Sequence, residues 1–137
     1  MKNKLRTAGL LVIKNNKLLL AYSRNKQCFY LPGGKALNGE TAEEALCREI
    51  AEELNVQLAE TELEYYAHIS APAYGEEIGM IMEQDCFLIA HEIHPVAAAE
   101  IAELRYFSLQ EYLRQPNTAP GAVMILQQLT AAGLVVD

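Results

Sequence analysis

The 137-residue sequence predicts an α+β sandwich, with helices packed on the faces of a mixed β-sheet. Three observations predict it. Short apolar, β-branched runs bounded by turn residues fill the first thirty positions and recur in the middle of the chain. One strongly marked helix, Ala42 to Asn55, separates the two groups. Amphipathic helical segments then close the sequence after Ser108.

Leu5 to Ile13 is apolar enough for a buried strand, and Leu18 to Ser23 reads as its hairpin partner across the polar turn Lys14-Asn15-Asn16-Lys17. Arg24 to Cys28 is a loop. Phe29-Tyr30-Leu31 re-enters the sheet, and Pro32-Gly33-Gly34 is expected to stop the ladder there. Leu63 to Ala71 and Ile78 to His91 read as strands joined by the loop Pro72 to Glu77. Glu92 to Ala99 reads as a loop broken by Pro95, and Leu104 to Phe107 as a short strand. Ser108 and Glu111 form a capping box for a short helix to Arg114. Gly121 to Ala132 is a last helix, with Ala122, Ile125, Leu126 and Leu129 pointing inward. No repeat or boundary interrupts this order, so residues 1–137 are expected to form one domain.

Composition narrows the function classes. A net charge of −7 argues against a nucleic-acid backbone as partner, which needs a basic patch. It leaves room for a small phosphate ligand, because a bound cation reverses the local sign. No apolar run approaches the roughly 20 residues of a membrane span, and MKNKLRTAG lacks the apolar core of a signal peptide. Cys28, Cys47 and Cys86 are far apart and lack CxxC spacing, which fits free buried thiols in a reducing cytoplasm.

The central helix carries the chemistry. Thr41 is its N-cap and Glu44 completes a capping box. Leu46, Ile50 and Leu54 form the core stripe, while Glu49, Glu52 and Glu53 fall within roughly a 100° arc on another face. Glu49 and Glu53 are an i,i+4 like-charge pair, which costs an isolated helix a few tenths of a kcal/mol. An all-oxygen cation site for Mg²⁺ or Mn²⁺ is the economical explanation.

The spacing from Gly34 to Val56 is G-x5-E-x7-R-E-U-x-E-E-x-N-U, carried by Gly34, Glu40, Arg48, Glu49, Ile50, Glu52, Glu53, Asn55 and Val56. It resembles the signature of the Nudix hydrolase (MutT-like) family, which has Gly where this chain has Asn55. Tyr30-Leu31-Pro32-Gly33-Gly34-Lys35 is similar to the family's lead-in. The Asn55 departure is mild, since Asn is the next best residue for a left-handed cap, and its cost is under about 1 kcal/mol.

The resemblance implies a Nudix-type α/β/α sandwich and a metal-dependent hydrolase of a nucleoside diphosphate linked to a second group. Carried over by position, Glu49, Glu52 and Glu53 bind Mg²⁺ with the backbone carbonyl of Gly33. Arg48 orients the glutamates, and Glu40 ties the loop to the helix; Gly34 is structural. The general base is Glu49 or a glutamate of a later segment, among Glu76, Glu77, Glu100 and Glu103, with Glu49 slightly favoured. Lys35 is a candidate phosphate contact, and Phe29 and Tyr74 are candidates for the base pocket. The partner is a small nucleotide, and the chain is a monomer or a homodimer.

A nucleoside triphosphate pyrophosphohydrolase is the first expectation, because the chain is small and without an N-terminal extension. Hydrolysis of ADP-ribose, another nucleotide sugar or a dinucleoside polyphosphate is the alternative. A non-catalytic nucleotide-sensing domain is a third, disfavoured by the intact set of three glutamates.

Overall fold

The computed structural model describes residues 3–137. The chain opens with β1 (Lys4–Leu11), β2 (Ile13–Lys14), β3 (Lys17–Ser23), β4 (Cys28–Tyr30) and β5 (Gly33–Lys35). Helix α1 (Ala42–Leu54) and a single 3-10 turn at Glu60–Glu62 follow. Then come β6 (Leu63–Pro72), β7 (Ile81–Ile89), β8 (Ile101–Phe107), α2 (Leu109–Leu113) and α3 (Pro120–Ala131). The expected α+β class holds, and the strands divide between two four-stranded sheets.

The first sheet has the order β5-β1-β7-β6, with β1 and β7 parallel and the other pairs antiparallel. The second is built around β3, which pairs with β2, β4 and β8. The hairpin expected between the first two long runs is therefore mostly absent. Only Ile13 and Lys14 pair with Leu18 and Lys17, across a turn in which Asn15 (φ 52°) and Asn16 (φ 62°) are both left-handed. β1 instead lies between β5 and β7, paired in parallel with β7 from Lys4 to Leu11.

Alternation along the strands sorts the core into two layers, because successive side chains leave opposite faces. Leu10 and Leu19 pack with Leu46, Ile50 and Leu54 of α1. Their neighbours Leu11, Leu18 and Leu20 pack with Ile125, Leu126 and Leu129 of α3. One helix layer thus covers each side, which is the α/β/α arrangement.

Gly33 and Gly34, expected to stop the ladder, continue it as β5. Gly34 pairs with Ala8 and Gly33 with Gly9. Gly33 has φ 138°, and a Cβ there would lie 2.0 Å from the Ala8 carbonyl oxygen. Only glycine lets the backbone approach this closely.

Helix α1 begins as its sequence dictates. Thr41 Oγ1 accepts from the Glu44 N–H at 3.1 Å, and Glu44 accepts from the Thr41 N–H at 2.9 Å. Asn55 ends it in the left-handed region, at φ 56° and ψ 36°. Two carbonyls at its end, those of Glu53 and Leu54, accept from Ala98 and Val96 at 2.9 and 2.8 Å. The segment read as a loop before β8 therefore straps the helix end, and β8 itself starts three residues earlier than expected. β7 begins at Ile81 instead of Ile78, which is fully exposed. Cys28 and Cys86 are buried free thiols, and Cys47 is free and half-buried. Among the described residues no helix is long and apolar enough to cross a membrane.

Candidate active site

A cavity of about 480 Å³ opens beside β5, between the α1 glutamates and the β1–β7 surface. Its acidic edge is made by α1. The helix turns its apolar stripe to the core, so Glu49 and Glu53 reach out past Gly33 and Gly34 to line the cavity. Glu53 Oε1 accepts a hydrogen bond from the Gly33 N–H at 3.1 Å. A Cβ on Gly34 would sit 2.6 Å from the Glu49 carboxyl carbon, so this glycine makes the room in which Glu49 lies.

Arg48 gathers the rest. Its Nε and Nη2 bond the two Glu40 oxygens at 2.8 and 2.9 Å, a forked pair. Nη1 donates to Glu49 Oε2 at 3.0 Å and to Glu52 Oε1 at 3.3 Å, while Nη2 also donates to the Lys35 carbonyl at 3.0 Å. Glu40 in turn accepts from the Leu37 N–H at 2.7 Å. Arg48 thus links β5, the loop and the helix, and Glu40 is its ion-pair partner on the loop.

Electrostatics separates these glutamates. The Arg48 guanidinium and the Leu37 N–H hold the Glu40 carboxyl down to about 2. Burial pushes Glu53 up to about 8, and Glu49, Glu100 and Glu52 add repulsion against the single Gly33 hydrogen bond. Burial likewise raises Glu49, against the pull of Arg48.

Of the three glutamates expected to hold a metal, the structure brings two to the cavity. Glu52 stays on the rim, its side chain 57 % exposed and held by Arg48. Accordingly, no cluster of three His, Cys, Asp or Glu side chains is gathered into one metal-holding group among the described residues. The donor chemistry nevertheless fits a hard cation: Glu49 and Glu53 are oxygen donors, partly desolvated and mutually repelling.

The other candidates divide. Lys35, Tyr74, Glu76 and Glu100 all line the cavity. Glu76 is turned inward by Lys26 at 3.0 Å and Lys35 at 3.6 Å. Glu100 accepts from Ser23 Oγ and, at 3.3 Å, from Asn25. It follows Ala99, whose φ of 55° is unusual for alanine and marks local strain. Three candidates stand elsewhere. Phe29 is 3 % exposed, in the core against Tyr22 and Phe107, because the β4–β3 pairing turns it inward. Glu77 points to solvent at the loop tip. Glu103 faces outward on β8, bonded to Arg105 at 2.8 Å.

Residues the motif did not single out also form the site. Tyr30 lines the cavity, its hydroxyl pushed up to about 12 chiefly by burial. Lys26 stands 5.5 Å from the centre of that ring. Thr7 and Gln84 line it from β1 and β7. Their only signal in the sequence was a polar residue at an inward position of an apolar strand.

The NUDIX domain family model matches residues 3–129, and the chain belongs to the Nudix hydrolase family. An ADP-ribose pyrophosphatase of Methanocaldococcus jannaschii is 52 % identical over 46 residues. That match spans 31 % of this chain and 27 % of the relative's length. The solution structure of the E. coli ORF135 protein is 26 % identical, with a TM-score of 0.72, covering 96 % of this chain and 94 % of that one. A bifunctional NMN adenylyltransferase/ADP ribose pyrophosphatase of Francisella tularensis, complexed with AMP and a Mn ion, shares the fold at 22 % identity. Its TM-score is 0.69, over 96 % of this chain and 42 % of that one.

Proposed function

We propose that this chain hydrolyses a pyrophosphate bond in a nucleoside diphosphate derivative, with a nucleoside triphosphate as the leading substrate and Mg²⁺ (or Mn²⁺) as cofactor. The observation that carries the reading is the Glu49–Glu53 pair at the cavity edge, partly buried, with Arg48 meeting Glu49 and only the Gly33 N–H meeting Glu53.

Glu49, Glu53 and a re-aimed Glu52 would hold the cation, with the Gly33 carbonyl beside them. When bound, it supplies charge neutralisation on the phosphate oxygens and a more acidic water. The protein's own part is positioning. Arg48 occupies Glu49 Oε2, which leaves Oε1 free to take the proton of the attacking water. This supports Glu49 as general base over Glu100, whose two oxygens already accept from Ser23 and Asn25. Glu40 keeps Arg48 in place, and Arg48 keeps Glu49 in one rotamer. Lys26 and Lys35 share Glu76 at the mouth, and a terminal phosphate would replace that carboxylate as their partner. This favours a polyphosphate tail over a terminal sugar.

ADP-ribose is the second reading, favoured by the similarity to the M. jannaschii ADP-ribose pyrophosphatase. The test is a panel of the common nucleoside triphosphates, ADP-ribose and dinucleoside polyphosphates with Mg²⁺, read as phosphate or pyrophosphate released. Pyrophosphate from one triphosphate is the expected result. Turnover of ADP-ribose alone would replace the first reading by the second, and no turnover on any would make this a binding domain.

A further inference from the structure

The cavity floor carries two polar side chains that the reaction leaves unused. Thr7 is 8 % exposed and Gln84 is 7 % exposed. They are cross-strand partners in the parallel β1–β7 ladder, so they stand side by side on one face of the sheet. Thr7 Oγ1 is buried and has no hydrogen-bond partner. The Gln84 amide makes no side-chain hydrogen bond among the described residues and lines the cavity. Gly9 makes room for it: a Cβ there would lie 3.0 Å from Gln84 Nε2.

A buried hydroxyl without a partner is costly, by roughly 1–3 kcal/mol. An unpartnered hydroxyl beside a cavity-lining amide, with Leu5, Leu31 and Met82 also lining the cavity, points to an occupant that supplies the missing bonds. The chemistry of that occupant can be read from the groups present. A primary amide offers one acceptor and one donor side by side, and a hydroxyl offers both. Neither is charged, so they suit a neutral planar edge with an adjacent donor and acceptor, as a nucleobase presents. Leu5 and Met82, the cross-strand pair one step along each strand on the same face, give the apolar wall that a base ring needs.

We propose that Gln84, supported by Thr7, reads the hydrogen-bonding edge of the substrate's nucleobase and sets base preference. This rests on the nucleotide reading above. It assigns selectivity to the strand surface, separate from the α1 glutamates that serve the phosphates.

The test uses the full chain and two shape-preserving variants, Gln84→Met and Thr7→Val. Binding of AMP, GMP, CMP, UMP and the base-free ribose 5-phosphate is measured by calorimetry, and turnover on the matching triphosphates is measured separately. The wild type should prefer one base at least roughly tenfold, because one bidentate pair is worth about 1–3 kcal/mol of discrimination. Gln84→Met should flatten that preference and raise KM about tenfold with kcat within about threefold, leaving ribose 5-phosphate binding unchanged. Thr7→Val should weaken the preferred nucleotide while its melting temperature stays level or rises, since it removes an unpaired hydroxyl. Equal binding of all four nucleotides and ribose 5-phosphate would overturn the proposal, as would unchanged preference in both variants. A clear drop in melting temperature for Thr7→Val would show that the hydroxyl has a partner within the protein, and would also overturn it. Base-selective binding that Gln84→Met abolishes, without turnover of any triphosphate, would uphold the proposal and sink the triphosphate reading instead.

Discussion

Glu40 and Glu53 belong to one motif, and they have opposite fates. Glu40 meets Arg48 in a forked pair and titrates down to about 2. Glu53 lies thirteen positions on, meets other glutamates and one N–H, and is pushed up to about 8. The first is a solved electrostatic problem and serves structure. The second is unsolved within the chain, and that imbalance marks where a ligand belongs. The difference teaches that a motif letter does not state a role; the neighbours of its carboxyl do.

The comparison is tested most severely at Glu53. Glu53→Gln should lower turnover by at least roughly a hundredfold, about 2.7 kcal/mol of transition-state stabilisation, with the fold kept. Steady-state rates with Mg²⁺ and a melting curve check both halves; unchanged activity would sink the metal assignment.

Arg48→Ala attacks the satisfied side. It should free Glu49 from its rotamer and cut kcat by roughly tenfold or more, while the loss of a partly exposed network costs about 1 kcal/mol of stability. Urea unfolding of the variant measures the second number. A full-strength kcat would mean that Arg48 does not position Glu49.

The two carboxyls also differ in pH response. A carboxyl raised in the folded state binds its proton there after the unfolded chain has released it. The stability of the metal-free protein from Glu53 should therefore fall as pH rises from about 4.5 through about 8. Glu40 has the reverse sign: its contribution is present above about 4.5 and is lost as pH falls towards about 2. Melting temperatures of wild type and Glu53→Gln across pH 5 to 8 should diverge by about 3–5 °C. Parallel curves would show that Glu53 is not desolvated in solution.

The smallest effect is at the helix end. Asn55→Gly should change stability by less than about 1 kcal/mol, and Asn55→Ala should cost about 1 kcal/mol, because only the latter strains the left-handed cap. Denaturant midpoints separate the two; an equal loss in both would assign Asn55 a side-chain role instead.

How much was legible can be seen at particular residues. The α1 boundaries, the Thr41–Glu44 capping box and the left-handed Asn55 were readable, because each depends on neighbours within four positions. The Arg48–Glu52 contact was readable for the same reason, being one helical turn. The pairing of β1 with β7 was not, since it joins residues more than seventy positions apart. Phe29 was placed in the pocket because it is aromatic and near the motif, but the pairing of β4 with β3 turned it into the core.

By itself the sequence determined the α+β class, the acidic helix and the family to which it belongs, because those are written in local periodicity and spacing. Tertiary structure alone decided which glutamates face the cavity, which one Arg48 neutralises, and that Thr7 and Gln84 stand together beneath it. Charge and burial depend on what the rest of the chain brings alongside, and no spacing rule along one strand or helix contains that information.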